Sequence, residues 1–95
     1  MGQYKHKSVL LIDDSYIDNL INRKILENNQ FAENIEVIDS PHDAISSLRE
    51  KTSSGTPLPE IIFLDLRMPG MSGFELLKEL NAIIGERAGE IKLFI

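Results

Sequence analysis

The chain has 95 residues, of which 42% are hydrophobic and 26% charged, a composition typical of a globular protein and not of a disordered one. A chain of this length has room for one domain with a modest core, so residues 1–95 are taken as a single domain. Ten basic and fifteen acidic residues give a net charge of −5, which argues against binding to a nucleic-acid backbone. The absence of cysteine excludes disulfides and thiolate metal sites.

The N-terminal region lacks the features of a signal peptide or a membrane span. Its longest unbroken apolar run covers only residues 9–12, far too few for either. We therefore expect a soluble, cytoplasmic protein without membrane contact, and the lack of cysteine fits a reducing compartment.

Four short apolar segments predict β-strands. Residues 9–12 and 61–64 are continuous apolar runs that each stop at an aspartate, which is typical of strands buried on both faces. Residues 35–38 alternate in part, as a strand with one wetter face does, and residues 91–95 are a fourth candidate.

The first helix is predicted after Asp14, where the apolar residues change to a helical spacing. Four of them share one helical face: Ile17, Leu20, Ile21 and Ile25. Ser15 and Asp18 have the spacing of an N-terminal capping box, so the helix is predicted over residues 16–28.

Two further helices are predicted from their start signals. Ser40 and Pro41 begin the second helix, and Ser72 begins the third with a repeat of the capping pattern. Residues 52–57 are predicted as a polar loop after the second helix. In the third helix we expect three core residues, Phe74, Leu77 and Leu80. After it we expect Gly85 and Gly89 to mark the exit into the fourth strand.

Strands and helices alternate along the chain in the order β-α-β-α-β-α-β. Such alternation implies right-handed crossovers and a parallel sheet that is covered by helices on both faces. The predicted fold class is therefore a doubly wound α/β fold.

Aspartates stand at the carboxyl ends of two strands, where doubly wound sheets bind their ligands. Asp13 and Asp14 end the first strand and Asp65 ends the third. If these strands are neighbours, three carboxylates converge, and their repulsion is relieved by a raised pKa or by a bound cation. Because there is no cysteine and His6 and His42 lie away from the strand ends, oxygen ligands and Mg2+ are predicted.

A structural role is the alternative for the Asp13–Asp14 pair, because aspartates after strands commonly cap the next helix. Ser15 already supplies the predicted cap, which leaves both aspartates without an evident structural task. Asp65 supports a functional role for these aspartates, because it is a second acidic residue at a strand end. We expect the loop after it to be shaped by Met68, Pro69, Gly70 and Gly73.

Two segments resemble the receiver domains of two-component response regulators. They are VLLIDDS at residues 9–15 and IIFLDLRMPGMSGFELL at residues 61–77, and the second is highly specific. The resemblance runs through essentially the whole chain with the same element order. It implies a flavodoxin-like receiver fold with strand order 2-1-3-4.

The resemblance also implies a function, in which Asp65 accepts a phosphoryl group from a sensor histidine kinase or a histidine phosphotransfer protein. Asp14 would ligate Mg2+ directly, Asp13 would assist, typically through a water, and Arg67 would contribute its backbone carbonyl. Such a domain catalyses only its own phosphorylation and dephosphorylation while it switches a downstream output, so we expect a signalling domain and not an enzyme. We also expect the Arg67 side chain to influence the lifetime of the phosphoryl group.

The family pattern continues past Ile95 with a Ser or Thr after the fourth strand, a Lys at the end of a fifth strand, and two more helices. The resemblance therefore implies that the domain is C-terminally incomplete. The fourth strand would then be an unpaired edge, and we expect such an edge to favour pairing into homo-oligomers.

Two other functions stay open from the sequence. A receiver-like interaction module that does not use phosphate is opposed by the three aspartates and favoured by the missing Ser/Thr and Lys. An Mg2+-dependent phosphohydrolase would usually carry an Asp-x-Asp motif, and neither the segment after Asp13 nor the one after Asp65 provides it.

Overall fold

The computed structural model describes residues 3–65, 67, 70–85 and 91–95. The predictions about Met68, Pro69 and Gly89 lie outside these residues. Strands and helices alternate as predicted: β1 His6–Ile12, α1 Tyr16–Asn28, β2 Ala32–Ile38, α2 Pro41–Ser54, β3 Ile61–Leu64, α3 Gly73–Ile84 and β4 Lys92–Phe94.

The four strands form one parallel sheet in the order β2-β1-β3-β4. This confirms the doubly wound α/β fold and the strand order. Ile12, the last residue of β1, pairs with Ile38 on one side and with Leu64 on the other. Three strands therefore end at the same level, and the residues that follow them share one edge of the sheet.

The core lies on both faces of the sheet. Alternate residues of β1 point to opposite faces, so that Leu10 and Ile12 belong to one cluster while Val9 and Leu11 belong to the other. Helices α2 and α3 cover the first face, and α1 packs on the second through the half-buried Leu26. Strand β1 is consequently buried along both sides, as its continuous apolar run predicted.

Three serines cap the three helices as their spacing predicted. In each case the serine hydroxyl accepts a hydrogen bond from the backbone N–H three residues later, and the pairs are Ser15 with Asp18, Ser40 with Asp43, and Ser72 with Glu75. These bonds satisfy N–H groups that the first turn of a helix leaves unpaired. The helix starts are therefore fixed by local chemistry.

The polar stretch after the second helix was predicted as a loop from residue 52, and this is wrong, because α2 continues to Ser54. The Thr52 hydroxyl donates to the carbonyl of Leu48 at 2.9 Å, which suits a helical last turn. Gly55 then ends the helix with a φ of 75°, a conformation that glycine adopts without steric cost. The loop begins there.

Two apolar groups are more exposed than their spacing would suggest. Phe74, predicted to be a core residue, is 78% exposed, whereas Leu80 of the same helix is fully buried. The apolar face of α1 is also about half exposed at each of its four residues, Ile17, Leu20, Ile21 and Ile25. Spacing identifies residues that share a helix face, but not the neighbour that covers the face.

No helix in the described part of the chain is long and apolar enough to cross a lipid bilayer.

Glu60 joins the beginnings of β1 and β3. Its carboxylate accepts a hydrogen bond from the backbone N–H of Lys7 at 2.9 Å and lies 3.1 Å from Nδ1 of His6. The Lys7 N–H, followed by His6, holds the pKa of Glu60 below its ordinary value of 4.5. A carboxylate with a lowered folded-state pKa stabilises the fold above that ordinary value and loses this contribution as the pH falls below it.

The variant Glu60→Gln is therefore expected to be less stable at neutral pH, by less than about 1 kcal/mol because the side chain is largely solvated. The difference from wild type should shrink as the pH falls below 4.5. Urea unfolding at several pH values measures it, with Glu33→Gln on β2 as the control for losing one exposed negative charge. If Glu60→Gln and Glu33→Gln change the free energy of unfolding equally at every pH, the contacts of the Glu60 carboxylate do not stabilise the fold.

Candidate functional site

Three aspartates meet at the carboxyl edge of the sheet. Each of Asp13, Asp14 and Asp65 offers one carboxylate oxygen, and these oxygens lie within 4.8 Å of one another. Hydrogen bonds to neighbouring strands hold two of the backbones, since the N–H of Asp13 donates to the Ile38 carbonyl and the N–H of Asp65 to the Ile12 carbonyl. The structure thus brings together the three side chains that the strand ends pointed to.

Asp13 has structural tasks that the sequence analysis did not assign to it. Its Oδ1 accepts the backbone N–H of Ser15 at 2.9 Å, and its carbonyl accepts the Asn19 amide at 2.7 Å. The expectation that neither Asp13 nor Asp14 has a structural role is therefore wrong for Asp13. The Ser15 N–H, which a capping box would pair with residue 18, is taken by Asp13.

Asn19 is the residue at this site that sequence reasoning missed. It is only 7% exposed, and its Oδ1 has no hydrogen-bond partner among the described residues. It lies on the same side of α1 as Leu26, facing the sheet, whereas the apolar stripe lies on another side. An asparagine outside the apolar stripe, within the first turns after the acidic strand end, is the only signal that the sequence offers.

Arg67 lies against Asp65. Both its backbone N–H and its side-chain Nε–H donate to Oδ1 of Asp65, at 3.0 and 3.2 Å. The Asp65 side chain is 15% exposed and that of Arg67 is 87% exposed. A nearly buried carboxylate is thus contacted by a guanidinium that is otherwise in solvent.

The surroundings of Asp13 and Asp65 shift their pKa values in opposite directions. Burial raises the pKa of Asp13, and the nearby charge of Asp65 adds to this against the lowering effect of the Ser15 N–H. The backbone N–H of Arg67, followed by its guanidinium, holds the pKa of Asp65 below its ordinary range despite burial. Asp65 is therefore ionised at neutral pH. The repulsion between the two carboxylates further raises the pKa of Asp13.

The donor set fits a hard divalent cation such as Mg2+. All three side chains supply carboxylate oxygen, the ligand type that Mg2+ prefers. A cation would offset the repulsion from Asp65, which adds to burial in raising the pKa of Asp13. The buried Oδ1 of Asn19, which has no hydrogen-bond partner in the part of the chain that the structure describes, lines the same hollow as Asp13 and Asp65. The acidic group found among the described residues contains neither His6 nor His42.

An open hollow of about 260 Å³ lies beside the acidic group. Its polar wall includes Asp13, Asn19, Asp65 and Arg67, and its apolar wall includes Phe63 and Phe94, whose rings are stacked. Gly70, in the loop after Asp65, has the positive φ expected of it, whereas Gly73 is the first residue of α3 and not part of that loop.

Comparison with known proteins decides the family. The sequence model of the response regulator receiver domain matches residues 9–87, most of the chain. The chain belongs to this family. It is a receiver domain of the kind found in two-component systems, and such domains are signalling modules.

Individual relatives agree with this assignment. The receiver domain is 34% identical to the two-component response regulator ORR1 of Oryza sativa subsp. japonica over 77 residues, which are 79% of this chain and 33% of that protein. A crystal structure of a two-component response regulator from Cytophaga hutchinsonii superposes with a TM-score of 0.80 at 34% identity, covering 94% of this chain and 66% of that one. The chain thus spans about a third of the rice protein.

A more distant neighbour shares the fold alone. The receiver domain of the histidine kinase CKI1 from Arabidopsis thaliana, complexed with Mg2+ and BeF3−, superposes with a TM-score of 0.74 at 23% identity. The superposition covers 92% of this chain and 62% of that one.

Proposed function

We propose that this receiver domain accepts a phosphoryl group on Asp65, with Mg2+ held by Asp13, Asp14 and Asp65. The observation that carries the proposal is the convergence of three carboxylate oxygens within 4.8 Å at the carboxyl edge of the sheet, in a chain of the receiver family. The Mg2+ complex of the CKI1 receiver, which has the same fold, supports the choice of cation.

Asp65 suits the role of acceptor better than its two neighbours do. A carboxylate attacks phosphorus only when it is ionised, and the Arg67 N–H groups keep the pKa of Asp65 low. Burial raises the pKa of Asp13, so its carboxyl group is less readily ionised than that of Asp65. Asp14 is exposed and is better placed to complete the coordination of a cation.

The proposed chemistry is an in-line transfer, in which an Asp65 oxygen bonds to phosphorus as the bond to the donor breaks. The chain contributes position and charge: β1 and β3 hold the carboxylates together, and the hollow beside them admits the donor. When bound, Mg2+ would neutralise the negative charge of the transferred group. The backbone carbonyl of Arg67 is proposed as a further ligand.

We further propose that the physiological donor is a sensor histidine kinase or a histidine phosphotransfer protein, and that the phosphorylated domain switches a downstream output. Membership of the receiver family, and the likeness to a two-component response regulator, support this partner class. A phosphohistidine is chemically suitable, because it presents its phosphoryl group at the end of an exposed ring.

The experiment that tests the proposed function needs no partner protein. The chain is incubated with Mg2+ and acetyl phosphate, and its intact mass is followed with and without a chelator. We expect a gain of one phosphoryl group that depends on Mg2+ and that is lost at alkaline pH, as an acyl phosphate is. Many turnovers of a phosphate ester would instead indicate a phosphohydrolase, and no mass gain with intact cation binding would indicate an interaction module.

A further inference from the structure

The contact between Arg67 and Asp65 places two donors on a single oxygen. The backbone N–H and the side-chain Nε–H of Arg67 both point to Oδ1 of Asp65. The contact is made through Nε, and the charge of Asp13 also acts on the Arg67 guanidinium. The acidic group therefore has a cation of its own beside it.

The proposed function requires both oxygens of Asp65. One oxygen must bond to phosphorus, and the other must ligate the divalent cation. While the Nε–H of Arg67 is hydrogen-bonded to Oδ1, the guanidinium hinders the approach of phosphorus or of the cation to that oxygen. The side-chain contact must open, whereas the backbone contact is part of the turn after β3.

We propose that the Arg67 guanidinium is a built-in competitor of the divalent cation, a counter-ion of the acidic group that is displaced when a cation binds to Asp65. The proposal rests on the proposed function only in placing the cation among Asp13, Asp14 and Asp65. It assigns to the Arg67 side chain a task before phosphoryl transfer, namely to set the cation concentration at which the site becomes competent.

The Arg67 guanidinium competes only weakly with a divalent cation. The Arg67 side chain is 87% exposed, and an ion pair with one partner in solvent contributes little, because water and salt replace the contact at small cost. Exposed ion pairs of this kind change an equilibrium constant by about 1.5- to fivefold. Arg67 therefore adjusts the affinity for a cation and does not block the site.

Two substitutions separate displacement of the contact from long-range repulsion between like charges. Arg67→Gln removes the charge and the Nε–H together, whereas Arg67→Lys keeps the charge but loses the Nε–H that reaches Oδ1. The matched control is Arg49→Gln, which removes a similarly exposed guanidinium that pairs with Glu79 between α2 and α3. This control reports the effect of net charge alone.

The experiment is a titration of the 15N-labelled chain with MgCl2, followed by NMR in the absence of any phosphodonor. We expect Arg67→Gln to bind Mg2+ about 1.5- to fivefold more tightly than wild type, with Arg67→Lys between them and Arg49→Gln close to wild type. In wild type, the Nε–H resonance of Arg67 should shift with the same midpoint as the backbone resonances of Asp13, Asp14 and Asp65.

Other outcomes would overturn the proposal. If Mg2+ binds but Arg67→Gln leaves the affinity unchanged or weaker, or if Arg49→Gln gains as much, the guanidinium is not a competitor, and the proposed function is unaffected. A wild-type Nε–H resonance that stays in place during the titration leads to the same conclusion. If no variant binds Mg2+ at the aspartates, both the competitor and the proposed function are wrong.

Discussion

The variant Asp65→Asn is expected to take up no phosphoryl group from acetyl phosphate, where wild type gains one. An amide has no ionised oxygen with which to attack phosphorus, and it is a poor ligand for the cation, so two requirements fail together. The replacement is nearly isosteric. The backbone N–H at position 65 still donates to Ile12, and the amide oxygen can still accept hydrogen bonds from Arg67, so the fold should persist.

Intact-mass spectrometry measures the uptake, and circular dichroism checks the fold. The matched control is Asp39→Asn, because Asp39 also follows a strand at the carboxyl edge of the sheet but does not belong to the acidic group. This control should be phosphorylated like wild type. An equal mass gain in Asp65→Asn and wild type would place the acceptor on another side chain and would remove the central part of the proposed function.

Much of the fold was predictable because its signals are local. The runs at residues 9–12 and 61–64 are apolar throughout since β1 and β3 are covered on both faces, and Leu10 and Ile62 are fully buried. The helix starts were predictable because a serine hydroxyl can bond to an N–H three residues later with no help from the rest of the molecule.

The end of α2 shows where local signals mislead. Thr52 and the serines after it read as a loop, since these residues are common in loops. In the structure the Thr52 hydroxyl bonds back to the Leu48 carbonyl, and the helix runs on until Gly55. Composition is a weaker guide here than the position of the glycine that can adopt a positive φ.

The acidic group was predictable for a topological reason. Parallel strands that are neighbours bring their carboxyl ends to one edge, so aspartates after β1 and β3 meet whatever the details of packing. The contacts of Asn19 with Asp13 were not predictable, because they depend on the rotation of α1 about its axis. That rotation places Asn19 against the sheet and leaves much of the apolar stripe exposed.

The largest expected loss of stability comes from Leu10→Ala. Leu10 is fully buried in the middle of β1, and it packs in the cluster that joins the sheet to α2 and α3. Removing its side chain loses transfer free energy and leaves a cavity in close-packed surroundings, a cost of about 2–5 kcal/mol. Small domains have a total of about 5–15 kcal/mol, so the variant should be close to unfolding at moderate temperature.

Urea unfolding of both proteins measures this difference, with Leu20→Ala as the matched control. Leu20 is the same residue type on the half-exposed stripe of α1, and its truncation should change the free energy of unfolding by about 0.5 kcal/mol or less. The contrast tests the burial of β1 beneath α2 and α3, because Leu10 is fully buried there whereas Leu20 is only about half covered. Similar losses in the two variants would mean that the stripe of α1 is covered in solution and that the described core is incomplete.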